Sequence, residues 1–124
     1  AYAPLGRGLL TSDIADPATL VEGDTRKRQP RYSGDNLAHN RALAQKVEAI
    51  AKRKGCTPAQ LALAWVLAQG PDVVPIPGTK QKKRMLENIG ALGVKLSEAE
   101  LAEGYVLTCQ ATPVGEGVTL SYDV

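Results

Sequence analysis

Residues Leu61 to Ala68 (LALAWVLA) form an apolar run with no polar face. The lead-in Cys56-Thr57-Pro58-Ala59-Gln60 marks it as a helix. Thr57 suits the N-cap, Pro58 the first helical position, and Gln60 completes a capping box, while Gly70 supplies the stop. A helix that is apolar all round must be covered on most of its circumference. The chain has 124 residues, is 44% apolar and has no Phe, so the covering surface has to come from Ala, Leu, Ile and Val. Burial on that scale asks for more partner surface than these residues promise. The only Met is Met85, and the chain reads as if it began inside a longer protein.

The neighbouring segments alternate between helical and extended patterns. Ala1 to Leu5 reads as a strand end passing into a loop at Pro4 and Gly6. Gly6 to Asp35 has no sustained period and contains Pro17, Gly23, Pro30, Gly34 and the cations Arg26, Lys27, Arg28 and Arg31, a solvated charged loop or a binding one. From Asn36 a helix is expected, with Leu43, Val47, Ile50 and Ala51 at helical spacing and Gly55 as its stop. Lys52-Arg53-Lys54 then complement the negative end of the helix dipole. Asp72 to Pro77 reads as a β-branched strand in which Pro75 must fall where no ladder N–H is needed. A helix follows from about Gln81 to Leu92. Ser97-Glu98-Ala99-Glu100 is a second capping box, opening a short helix that Gly104 ends. YVLTC and VTLSYDV, in the last segment, read as a hairpin or a pair of strands.

Charge and cysteine usage exclude several function classes. A net charge of +2 gives no concentrated basic face for nucleic acid. No apolar run approaches the roughly 18 residues of a membrane span. AYAPLGRGLLTSD has neither the charged start nor the long apolar stretch of a signal peptide, so a cytoplasmic protein is expected. Cys56 and Cys109 lack metal-site spacing, and in such a chain a disulfide between them is not expected.

Chemistry concentrates between Val73 and Asn88 (VVPIPGTKQKKRMLEN). A strand, a tight Gly turn and a helix start present backbone N–H groups to an anion. Thr79 adds a hydroxyl, and Lys80, Lys82, Lys83 and Arg84 add positive charge. Arg84, Glu87 and Asn88 stand at i, i+3 and i+4, on one helix face. Arg can stack on a purine while holding a phosphate, and Asn and Glu can read a base edge. From spacing alone, a polar helix face carrying a solvated basic cluster explains the same residues.

VVPIPGTKQKKRMLENIGAL resembles the last barrel strand and helix of the aldo-keto reductases, and AYAPLGRGLL resembles that family's preceding strand and pyrophosphate loop. GDTRKRQPRY, NLAHNRALAQKVEAIAKRKGCTPAQLALAWVLAQG and VKLSEAELAE are similar to it in the same order. The resemblance covers residues 1–103. It implies an α/β fold made of the last strand–helix units of a (β/α)8 barrel, incomplete here, from a family that reduces aldehydes and ketones with NADPH. It further implies that Gly78, Thr79 and Lys80 meet the 2′-phosphate, Arg84 the 2′-phosphate and adenine, and Glu87 and Asn88 the adenine. Ala3, Leu5, Gly6 and Arg7 would line the pyrophosphate, Ala3 standing where the family often has Ser. The family's catalytic Asp, Tyr, Lys and His match nothing here: His39, Tyr2, Tyr32, Tyr105 and Tyr122 occupy other positions. No catalytic and no metal-binding residue is assigned, and the nicotinamide nucleotide is the expected partner. A barrel of this kind takes roughly 250 residues, so an isolated piece is expected to expose sheet edges and self-associate through them, with its apolar helix uncovered.

Residues 104–124 differ in character. GYVLTCQATPVGEGVTLSYDV resembles the C-terminal end of a plant-type [2Fe-2S] ferredoxin domain, with Cys109 at the last cluster thiolate. A joined, chimeric sequence accounts for both parts. Two further readings stay open, a structural or oligomeric protein with a vestigial nucleotide site and a fragment of an iron–sulfur electron carrier. A cluster needs four thiolates, and this chain has two cysteines. After anaerobic incubation with iron and sulfide the protein is therefore expected to stay colourless. Visible absorbance of a [2Fe-2S] centre would restore the electron-carrier reading.

Overall fold

The computed structural model describes residues 1–11 and 17–102. The hairpin and the Cys109 thiolate expected in 104–124 lie outside the described residues. Four α-helices are described: α1 Gly34–Lys54, α2 Pro58–Leu67, α3 Lys82–Ile89 and α4 Glu98–Ala102. Short 3-10 turns at Gly6–Gly8, Pro17–Thr19, Thr25–Arg28 and Pro30–Tyr32 precede α1, and one at Gly90–Gly93 follows α3.

The capping chemistry read from the sequence is built as expected. Thr57 Oγ1 accepts from the Gln60 N–H at 3.2 Å, and Gln60 Oε1 accepts from the Thr57 N–H at 3.0 Å. At the end of α1, Gly55 takes φ 66°, a left-handed conformation that only Gly adopts at little cost. Its N–H donates to Lys52 O at 3.2 Å and the Cys56 N–H to Ala51 O at 3.0 Å. That double closure satisfies the last carbonyls of α1 and turns the chain directly into α2. Ser97 and Glu100 cap α4 reciprocally, with the Ser97 N–H to Glu100 Oε2 at 2.7 Å and the Glu100 N–H to Ser97 Oγ at 3.3 Å.

The core is α2 and what wraps it. Leu61, Ala62, Leu63, Ala64 and Val66 are all buried. Each buried Leu or Val is worth about 1.5–3 kcal/mol relative to exposure. α1, α3 and the Gly90–Gly93 turn all pack against this helix. The expected uncovered apolar helix is thus corrected, and alanine is the physical reason. Ala44 and Ala51 on α1, Ala59, Ala62 and Ala64 on α2, and Ala91 are all buried; side chains this small let backbones approach closely, so a few short elements cover the helix. The buried stripe of α1 is accordingly centred on Ala44 and Ala51, with Val47 and Ile50 half-buried, while Leu43 remains 40% exposed.

The extended segments depart further from expectation. No strand is present among the described residues; Tyr2 and Ile76 instead form one isolated parallel bridge. The Ile76 N–H donates to Ala1 O at 3.1 Å and the Ala1 nitrogen to Val74 O at 2.6 Å. Backbone groups alternate sides along an extended chain, so Val74 and Ile76 face Ala1 while Val73, Pro75 and Pro77 face away. Both prolines thus lack their N–H on the side with no described partner, which is where prolines are tolerated. They also stop a ladder from growing there. α3 ends earlier than expected, at Ile89, and the chain tightens into the Gly90–Gly93 turn.

Two side chains tie the elements together. Gln60 Nε2 donates to Glu87 O at 3.0 Å, joining the start of α2 to the end of α3. Lys54 Nζ meets both Glu100 oxygens, at 2.9 and 2.8 Å, joining the end of α1 to α4. Removing Gln60 costs α2 its capping partner and α3 its tether together. Gln60→Ala is expected to lower stability by about 1–2 kcal/mol, read as a shift of the urea midpoint at unchanged slope.

Lys54 and the Ser97 groups hold the Glu100 carboxyl down at about 2, against an ordinary 4.5. A carboxylate held low in the folded state stabilises above the unfolded value and loses that contribution as pH falls through the folded one. Stability is therefore expected to drop between pH 4.5 and 2, and Glu100→Gln to flatten that part of the melting profile. An unchanged acid limb in the variant would overturn the assignment.

Candidate functional site

The parallel bridge has a geometric consequence for the residues singled out in the sequence. Two chain segments running side by side in one direction leave the bridge at the same end. The turn after Tyr2 and the turn after Ile76 are thereby brought to one side of the molecule. The first holds Ala3, Leu5, Gly6 and Arg7; the second holds Gly78, Thr79 and Lys80 and leads into α3, which carries Arg84, Glu87 and Asn88.

The first turn is wound tightly. The Gly6 N–H donates to Ala3 O and the Gly8 N–H to Leu5 O, both at 2.9 Å. Ala3 (φ 48°), Gly6 (56°), Arg7 (56°) and Gly8 (100°) all lie in the left-handed region. For Ala3 and Arg7 that conformation costs about 1–2 kcal/mol each, so surrounding structure must impose it. The Gly6 and Gly8 N–H groups are thus engaged inside the turn, and the Arg7 N–H between them is a group that could meet an anion. The Arg7 side chain lies on Tyr2, its guanidinium 5.9 Å from the ring centroid and Nη2 donating to the phenol oxygen at 3.0 Å. Both residues are exposed.

In the second turn Gly78, Thr79 and Lys80 are exposed, as are Lys82, Lys83 and Arg84. Thr79 Oγ1 accepts from the Gln81 N–H at 3.1 Å, so the hydroxyl shapes the loop that enters α3. Glu87 and Asn88 are half-buried, and the Glu87 carbonyl receives the Gln60 amide. The opposite side of α3 leaves Met85, Leu86 and Ile89 about half exposed.

Two features of this end are not singled out by the sequence reading. The Tyr32 side chain is buried, and its hydroxyl lies 3.1 Å from Gly6 O and 3.0 Å from Arg7 O. Burial pushes its pKa up, which keeps the proton in place for donation. Asp24 grips Arg26 through Nε at 3.0 Å and Nη2 at 2.7 Å. That grip holds the Asp24 carboxyl at about 2, below the ordinary 3.8. Arg26 Nη1 is directed at Gly8, 3.5 Å from where a Cβ there would lie. The available signals were a lone aromatic closing a polar loop and an Asp two residues before an Arg.

His39 is exposed on α1. The Cys56 thiol is half-buried, and burial raises its pKa, the opposite of a reactive thiolate. Among the described residues no group of three or more His, Cys, Asp or Glu could hold a metal ion, and no helix is long and apolar enough to cross a membrane.

Comparison with known proteins matches residues 1–104 to the Aldo/keto reductase family. A fission yeast protein (Schizosaccharomyces pombe) named aldo-keto reductase yakc [NADP(+)] is 53% identical over 102 residues, covering 82% of this chain and 30% of the relative. A soybean (Glycine max) protein named probable aldo-keto reductase 1 is 45% identical over 115 residues, covering 93% of this chain and 32% of the relative. The chain thus spans about a third of the length of these relatives. With the family matched over residues 1–104 and identity above half to one relative, this chain belongs to the Aldo/keto reductase family.

Proposed function

We propose that residues 1–103 form the adenosine-phosphate and pyrophosphate half of an NADPH site, the C-terminal part of an aldehyde and ketone reductase. The single observation that carries this is the Tyr2–Ile76 bridge, which sets both turns at one end of the molecule. The residues suit the cofactor's charge. Ala3, Leu5, Gly6 and Arg7 offer a tightly wound backbone for the pyrophosphate. Gly78, Thr79 and Lys80 lie open to solvent beside the start of α3, where a 2′-phosphate would be held, and Arg84 would hold that phosphate and the adenine face. Glu87 and Asn88 would take the adenine edge. NADPH, when bound, supplies the hydride for a carbonyl substrate. This chain's own residues bind and orient the nucleotide. The name of the fission yeast relative, which includes NADP(+), points to the same cofactor.

A structural or oligomeric role with a vestigial site is the second reading, favoured by the exposed Met85, Leu86, Ile89 and Leu92.

Calorimetric titration of the full chain with NADPH and NADH separates the two. Saturable binding with a preference for NADPH is expected, because a phosphate held by charge-assisted hydrogen bonds is worth about 1.5–3 kcal/mol, roughly tenfold or more in affinity. The double substitution Lys80→Glu and Arg84→Glu should remove the preference. Indifference to both nucleotides, together with concentration-dependent assembly, would decide for the second reading.

A further inference from the structure

We propose that Tyr32 is a positioning residue for the pyrophosphate turn, fixing the Gly6–Arg7 peptide so that its N–H is presented to the ligand. The inference rests on the nucleotide site proposed above and assigns its specificity for the diphosphate to a side chain outside the turn.

The argument starts from the peptide group. A trans peptide points its C=O and its N–H in opposite directions. The Tyr32 hydroxyl lies 3.1 Å from Gly6 O, so the N–H of the same peptide, that of Arg7, is aimed away from the buried phenol. The same hydroxyl lies 3.0 Å from Arg7 O, so a second consecutive peptide is oriented by one group. These peptides flank Arg7, a non-glycine residue in the left-handed region at φ 56°. A strained conformation of this kind persists only where the surroundings over-determine it, and the Tyr32 hydroxyl is one contact that does so from outside the turn.

Tyr32 is itself firmly held. Its N–H donates to Gln29 O at 2.9 Å, and the following Ser33 N–H donates to Pro30 O at 3.1 Å. Asn40 Nδ2 donates to Arg31 O at 3.0 Å, pinning the Pro30–Tyr32 turn to α1. Orientation thus passes from α1, through the Pro30–Tyr32 turn, to the phenol, and from it to the backbone that would meet the anion. A phenylalanine would fill the same space without a donor. Gly6 O would keep the Leu9 N–H at 3.2 Å, but the two peptides would no longer be aimed from the buried side.

The test compares Tyr32→Phe with the unsubstituted full chain by calorimetric titration against two ligands. NADPH carries the pyrophosphate; adenosine 2′-monophosphate carries only the adenosine and the 2′-phosphate. Loss of one well-placed hydrogen-bond donor to the turn is expected to weaken NADPH roughly tenfold and to leave adenosine 2′-monophosphate unchanged. Unchanged NADPH affinity in the variant, or an equal loss for both ligands, would overturn the positioning role. If the unsubstituted chain bound neither ligand, the nucleotide site itself would fall and the inference with it. Should Tyr32→Phe fail to fold by circular dichroism, Asn40→Ala decides. It loosens the Pro30–Tyr32 turn with the phenol in place, and is expected to weaken NADPH selectively by a smaller factor. No selective change there would also overturn the proposal.

Discussion

The burial of α2 organises everything else described. Its apolar surface has no polar side to turn to water, so the folded state exists only if other elements close around it. α1, α3 and the Gly90–Gly93 turn do so, and their positions follow from that demand more than from their own helix propensity. α3 shows this best. Its eight residues are too few for a stable isolated helix, and it is held by packing on α2 and by the Gln60 amide on Glu87 O. The residues proposed to read adenine therefore sit on a helix whose place is set by a capping glutamine of its neighbour.

The two turns at the candidate site are governed by the same arrangement. Neither belongs to a sheet among the described residues, so neither can rely on a ladder for rigidity. The turn after Tyr2 is braced by Tyr32, from the segment that leads into α1, and the turn after Ile76 is continuous with α3. Helical elements packed on one core helix thus hold loops that carry charge-recognition chemistry. That division of labour is common, since loops tolerate the unusual backbone that ligand contact requires while packed elements provide precision.

How much of this was legible in the sequence depends on the range of the interaction concerned. Capping signals are local, and Thr57-Pro58-Ala59-Gln60, Gly55 and Ser97-Glu98-Ala99-Glu100 all fold as their residues dictate. The ordered resemblance carried the family. The covering of α2 exceeds what its sequence promises, because apolar count says nothing of how closely alanine-lined helices can approach. The extended segments at Ala1–Leu5 and Asp72–Pro77 carry strand-like residues, yet a strand requires neighbours in a sheet, and among the described residues each finds only the other. Tyr32 has no local signature as part of the site, because its two carbonyl partners lie some 25 residues away in sequence. No local pattern announces such a contact.

The two prolines beside Ile76 also bear on company. A symmetric pair of identical edges must exchange donors and acceptors reciprocally, and the outward side of Val73–Pro77 has carbonyls at positions 75 and 77 with no N–H to give back. Two copies of this chain laid edge to edge there would leave acceptors facing acceptors. A strand from elsewhere that brought its own N–H groups would meet no such mismatch. What the two prolines leave along that side is a row of acceptors short of donors.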